Sequence, residues 1–188
     1  MKILVACEYS GRVRDAFLER GHDAWSCDLE PCESDPARHI QGDVLPILDG
    51  DWDMVIAHPP CTYLANSGVR WLHSDPSRWE RMREGAEFFL RFLHARAPRV
   101  AVENPVMHKY AREIIGRGPD FTVQPWQHGD GYVKRTCFWT RGLPPLTPTN
   151  IVEGREAECH RMPPGPDRWK ARSRTYPGIA RAIAGQWG

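Results

Sequence analysis

The residues whose types and spacing best suit chemistry are Cys61 and Glu103. A run of four apolar residues, Met54-Val55-Ile56-Ala57, ends in His58-Pro59-Pro60 and delivers Cys61 into a polar loop. About forty residues later a second apolar run, Arg99-Val100-Ala101-Val102, ends in Glu103-Asn104-Pro105. Two strands that each end in a reactive side chain, both stiffened by proline, predict one site at the carboxyl edge of a parallel sheet. Open α/β sheets bind their ligands there. A thiol facing a carboxyl group pairs a nucleophile with a proton donor or acceptor. His58 reads as a wall of that pocket rather than as a catalyst.

The other cysteines read differently. Cys7, Cys27 and Cys137 lie in strand-like runs and suit small buried hydrophobes in a reducing compartment. The six cysteines form no C-x-x-C pair, which argues against zinc ribbons and thioredoxin-like chemistry, and no metal is expected. The one alternative is a metal pair at Cys159-His160, in a polar loop.

These side chains must be positioned by a core, and 188 residues suffice for one domain with a sizeable core. Net charge is +1, so bulk charge does not announce a polyanion partner. No stretch approaches the roughly 20 apolar residues of a membrane span, and Glu8 interrupts any signal-peptide core. The expectation is a soluble, cytoplasmic protein.

Along the chain, Lys2 to Cys7 reads as a buried strand and Glu8-Tyr9-Ser10-Gly11 as a turn. Arg12 to Arg20 has helical spacing and stops at Gly21; Asp23 to Cys27 is a second strand ending in Asp28. Strand, glycine turn, helix, strand, acid is a βαβ unit, and such an acid bonds ribose hydroxyls in nucleotide-binding sheets. The turn lacks G-x-G-x-x-G, so a cofactor without a pyrophosphate fits better. Asp43, in Gly42-Asp43-Val44, would close a short third strand. Pro76 to Arg96 reads as one long core helix, through Trp79, Met82, Ala86, Phe89, Leu90 and Leu93. Val106 to Ile115 is helical. Phe121 to Gln124 and Thr136 to Thr140 read as an antiparallel pair around the turn signal Gly129-Asp130-Gly131. Residues 142–175 carry Pro, Gly and Arg without periodicity, and so form a long loop or small lobe; Pro177 to Trp187 is a terminal helix.

Taken in order, these motifs resemble those of the DNA cytosine-C5 methyltransferases, and most closely small phage-type members. Glu8-Tyr9-Ser10-Gly11 stands at the family's cofactor loop, Asp28 with Leu29 at its ribose-binding acid, and Asp43 with Val44 at the acid that meets adenine. Pro60-Cys61 resembles the nucleophile motif, with Pro59 before it and Gly68 at the family's spacing after it. Glu103-Asn104 resembles the pair that binds the target base. Lys134-Arg135-Thr136 holds the place of a motif with two arginines spaced by one residue. Tyr176-Pro177-Gly178-Ile179 resembles the last motif, which returns to the cofactor. There are departures: the cofactor loop has one glycine, Thr62 follows the nucleophile, and Lys134 and Thr136 replace the two arginines. Only residues 142–175 are available for target recognition.

The resemblance implies a Rossmann-like, mostly parallel α/β fold with helices on both faces and an antiparallel hairpin near the C-terminal part. It implies a single catalytic domain over residues 1–188, with 142–175 as a minimal recognition lobe. The cofactor would be S-adenosyl-L-methionine, leaving S-adenosyl-L-homocysteine. The partner would be DNA, double-stranded, read with the help of a partner subunit or dimer if the lobe alone does not suffice. Cys61 would add to carbon 6 of a flipped cytosine, with Glu103 bonded to N3 and its pKa raised by burial. Nearby arginines would favour the thiolate. Asn104 would position Glu103 or hold the backbone turn, and the loop Thr62 to Asp75 would move to close over the base. Ser67, Arg70, Arg168, Lys170, Arg172 and Arg174 would contact nucleic acid, with four basic residues beside Trp169 as a phosphate strip. The same chemistry on RNA or a free cytosine nucleotide, and a catalytically inactive nucleic-acid-binding relative, are the alternatives.

Overall fold

A computed structural model describes residues 1–188, except for the side chain of His160. The alternation of the apolar strands decides the layering. In β1 (Lys2–Ala6), Leu4 and Ala6 point to one face of the sheet and Ile3 and Val5 to the other, and all four are fully buried. Strands buried on both faces must be covered by helices on both faces.

In chain order the elements are α1 (Arg12–Leu18), β2 (Asp23–Asp28), β3 (His39–Gln41), α2 (Leu45–Leu48), β4 (Met54–Ala57), α3 (Arg70–Ser74) and α4 (Ser77–Leu93). Then come β5 (Arg99–Pro105), α5 (Lys109–Ile115), β6 (Phe121–Val123), β7 (Thr136–Arg141), α6 (Glu158–Arg161), α7 (Arg168–Ser173) and α8 (Pro177–Trp187). The strand order is β3-β2-β1-β4-β5-β7-β6. The first five strands are parallel; β7 runs antiparallel to both β5 and β6. One apolar cluster joins the sheet to α4 and α5, and the other joins it to α1 and α8. This is the expected Rossmann-like α/β fold, helices on both faces, with the antiparallel hairpin late in the chain. No helix among the described residues is long and apolar enough to cross a membrane.

Three differences from the sequence reading have physical causes. The strand expected to end at Val102 runs on to Pro105. Its pairing with β4 stops at Ala57↔Val102, but β7 continues to pair with Glu103, Asn104 and Pro105. The loop at 142–175 contains two helices, α6 and α7, of four and six residues. Neither is long enough to show a helical period. The two strands β6 and β7 are joined by residues 124–135 rather than by a tight turn at Gly129-Asp130-Gly131.

Candidate active site

The carboxyl edge of β4 and β5 carries the site. Cys61 follows Pro59 and Pro60, neither of which can donate a ladder hydrogen bond, so pairing with β5 ends there. Its main-chain oxygen accepts from Leu64 N at 3.0 Å and Ala65 N at 2.9 Å, which turns the chain sharply. The loop beyond is not free. Asn66 N bonds Val106 O at 2.8 Å, His108 N bonds Leu64 O at 3.1 Å, and the His108 ring meets Tyr63 O at 2.9 Å. The stretch expected to move is thus tied to the exit of β5 over residues 63–66, and then forms a short turn and α3. Ser67 and Arg70 are exposed on it, with the Arg70 guanidinium 4.6 Å from the Trp71 ring.

Glu103 sits beside the β4 exit. His58 Nδ1 lies 3.0 Å from its Oε2, and the two side chains are 8% and 16% exposed. Desolvation pushes the Glu103 carboxyl up, but the His58 hydrogen bond, the His58 charge and Lys134 together hold it below the usual carboxylate range. The expected rise is therefore reversed, because the burial comes with a hydrogen-bond partner at 3.0 Å and with Lys134 nearby. His58, expected as a wall of the pocket, is instead the partner of Glu103, a contact set by the register of β4 against β5 and carried by no local pattern in the sequence. Asn104 is buried, and its Nδ2 donates to Pro59 O at 3.0 Å, locking the exit of β5 to that of β4.

Cys61 is exposed as a residue. Protein nevertheless crowds its thiol, and desolvation followed by the Glu103 charge pushes it up, against the pull of Lys134 and Arg172. The cations near it do not prevail, contrary to expectation. Of the two cationic candidates before β7, Lys134 turns inward and Arg135 is exposed. Lys134 Nζ donates to Arg172 O at 2.8 Å, and the side chain lines a small recess with His58, Glu103, Thr136 and Tyr176.

At the end of β1 the cofactor-loop residues divide. Glu8 is buried, and its carboxylate accepts from Val13 N at 2.7 Å and Arg14 N at 3.2 Å, so its oxygens are taken up in capping α1. Ser10 Oγ joins it at 3.4 Å. Gly11 has φ +72°, and a Cβ there would lie 2.2 Å from Ser34 Oγ, so glycine is required. The Tyr9 hydroxyl donates to Lys170 O. Asp28 ends β2; one of its oxygens accepts from Glu30 N at 3.0 Å. Desolvation raises its carboxyl, and the neighbouring Leu29 is 72% exposed. Asp43 lies past the end of β3 and accepts from Leu45 N at 3.0 Å, while Val44 is buried. An acid at a strand end beside an exposed apolar side chain fits a ribose with its base, so this donor set suits a nucleoside cofactor.

The strip from Arg168 to Arg174 lies across these loops rather than open to solvent. Lys170 pairs with Glu30 at 2.6 Å, and Arg174 grips both oxygens of Glu33 at 2.7 and 2.6 Å. Arg168 Nε bonds Met162 O at 2.9 Å, and only Arg172 brings its charge to Cys61. Tyr176 Oη contacts Glu158 and Cys159 Sγ at 3.3 and 3.5 Å. Gly178 N bonds Asp130 at 2.8 Å, and a Cβ there would meet His128 O at 1.9 Å. That glycine is needed for packing, and its N–H is already committed. The Cys159-His160 metal pair lies partly outside the described residues, since the His160 side chain is not among them.

No family model matches the chain, and no curated protein matches it. Among solved structures it is similar to the methyltransferase EhMeth of Entamoeba histolytica, at 14% identity and a TM-score of 0.48. The similarity covers 84% of this chain and 57% of that one, so the chain spans a little over half of that protein's length.

Proposed function

We propose that the chain is a DNA cytosine-C5 methyltransferase that uses S-adenosyl-L-methionine. The observation that supports this most is the placement of Cys61 and Glu103 at the exits of two adjacent parallel strands, with the acid Asp28 at the end of β2 on the same edge of the sheet. Cytosine carbon 5 is a poor nucleophile. Bonding of Cys61 Sγ to carbon 6 makes the ring an enamine, and carbon 5 then attacks an electrophile. The bound cofactor would supply that electrophile as a methyl on sulfonium. Asp28, Leu29, Asp43 and Val44 would hold its nucleoside, with Tyr9 and Tyr176 near its amino-acid end.

The resting site holds a protonated thiol beside an ionised carboxylate. Addition needs a proton to leave Sγ and a proton to arrive at N3. Glu103 can accept the first and donate the second. After transfer, the carbon 5 proton leaves to water as the carbon 6–Sγ bond breaks, and N3 returns its proton to Glu103, which restores the ring and frees Cys61. Asn104 keeps the two strand exits at a fixed separation. A base stacked in a duplex cannot reach such a site, so the reading includes base flipping.

Bisulfite sequencing of DNA from a host expressing the protein tests this reading. Methylated cytosines in a short sequence context, absent with Cys61→Ala, are the expected result. Unmethylated DNA from the active-site-intact protein would reject it. The pairing of Lys170 and Arg174 with Glu30 and Glu33 leaves fewer free cations for a duplex, and favours a smaller cytosine carrier as the second reading. Purified protein given duplex DNA, RNA and dCMP in parallel separates the two. Few base-reading side chains in 142–175 imply a site of about two to four base pairs, at roughly 1–3 kcal/mol of discrimination each, unless a second subunit reads bases as well.

A further inference from the structure

Pairing between β4 and β5 ends at Ala57↔Val102, so His58 and Glu103 are the next residues on two neighbouring strands. Their side chains meet at 3.0 Å, Nδ1 to Oε2, in a shielded position. The other ring nitrogen, Nε2, is buried and has no hydrogen-bond partner among the described residues. The imidazole is therefore anchored at one end only, and that anchor is the Glu103 carboxylate.

We propose that His58 is the positioning residue of Glu103: it holds Oε2 through Nδ1–H and so leaves Oε1 as the oxygen presented to the substrate ring. This rests on the reading of Glu103 as the acid that serves the base. A carboxylate on a free χ3 torsion rotates, since such terminal sp³–sp² torsions are broad. One charge-assisted bond removes that freedom and selects an oxygen. The same bond settles the protonation state. The titratable groups around the pair are Glu8 from the exit of β1, Cys61 from the loop after β4, Cys137 on β7, Lys134 before it, and Tyr176 before α8 in the same recess. Glu8 is already capped by backbone N–H groups, and Lys134 is tied to the Arg172 carbonyl. His58 is thus the group in hydrogen-bond contact that opposes the desolvation of Glu103.

Removing His58 should let desolvation prevail. Protein labelled with ¹³C at the glutamate carboxyl carbons, with the Glu103 resonance assigned by its loss in Glu103→Gln, reads this directly. The Glu103 midpoint should move up in pH in His58→Ala. In His58→Gln, whose amide can still donate a hydrogen bond, it should lie between the two. Unchanged midpoints in both variants would overturn the proposal, and His58→Gln carries the test if His58→Ala fails to fold. In methylation assays the acid limb of the pH profile should move with the midpoint. Turnover should fall about tenfold in kcat with KM little changed, less than the ~10² of losing the acid itself. A shifted midpoint in a protein that methylates no cytosine would keep the His58–Glu103 pairing and remove the base from Oε1. Methylation by a protein whose midpoint does not move would sink the positioning role alone.

Discussion

Glu8 and Glu103 make an instructive pair. Each lies at the carboxyl end of a central parallel strand, each is strongly desolvated, and the two carboxyls shift in opposite directions. Glu8 is pushed up by burial, against the His58 charge, two backbone N–H groups and Arg14. Glu103 is pulled down, because its His58 partner is close enough to bond and Lys134 adds to it. Two backbone N–H groups satisfy the buried Glu8 carboxylate without fully offsetting its desolvation; at Glu103 the side-chain hydrogen bond from His58 together with Lys134 does so. The difference separates a carboxylate whose oxygens cap a helix from one held by a side chain at the edge of the recess, the one proposed to exchange protons with a ligand.

The largest effect should come from the residue that faces Glu103. Cys61→Ala should reduce methyl transfer to background while leaving the cofactor dissociation constant nearly unchanged, measured by isothermal titration calorimetry. Substantial transfer by that variant would sink the assignment of the nucleophile, and with it the contrast. Next, Glu103→Gln should lower turnover by ~10² or more with DNA binding kept. Glu8→Gln should leave turnover close to normal and instead cost stability, on the order of 1 kcal/mol for a weakened helix cap, read from denaturant midpoints. If Glu8→Gln lowered turnover as much as Glu103→Gln does, the division between scaffold and chemistry would be lost.

Much of this was legible in the chain. The strand–turn–helix–strand start and the apolar runs at 54–57 and 99–102 gave the parallel core, because fully buried strands leave continuous hydrophobic runs. Cys61 and Glu103 stood out because proline and polar neighbours mark strand exits. The His58–Glu103 bond was hidden, since it depends on the register between β4 and β5, which no local pattern encodes. The capping role of Glu8 was hidden for a similar reason: the side chain folds under a helix that begins four residues later. The ion pairs of Lys170 and Arg174 join positions about 140 residues apart, so the strip read as free positive charge.

Asp28 and Glu8, just beyond the paired residues of the neighbouring strands β2 and β1, allow a smaller test. Asp28→Ala should weaken cofactor binding about tenfold or more, the worth of a charge-assisted bond of roughly 1.5–3 kcal/mol. The Glu8→Gln variant should bind cofactor normally, because its parent carboxylate points beneath α1. An unchanged constant in Asp28→Ala would remove Asp28 from the cofactor site.

The smallest effect is the dependence of stability on pH, and it carries the contrast in its sign. An ordinary glutamate titrates near about 4.3. The Glu103 value lies lower in the folded state, so between its folded and unfolded values the unfolded chain binds more protons. Its contribution is present above the unfolded value and is lost as pH falls through the folded one. The Glu8 value lies higher in the folded state, so the folded protein binds more protons in its window. Its contribution is present below the unfolded value and is lost as pH rises through the folded one. Urea titrations from acid to neutral pH should therefore diverge. The stability of the unsubstituted protein relative to Glu103→Gln should grow as pH rises toward the ordinary glutamate range. Relative to Glu8→Gln it should shrink as pH rises beyond that range. Two differences that move in the same direction would mean that contact with His58 does not distinguish these carboxylates, and that burial alone governs both.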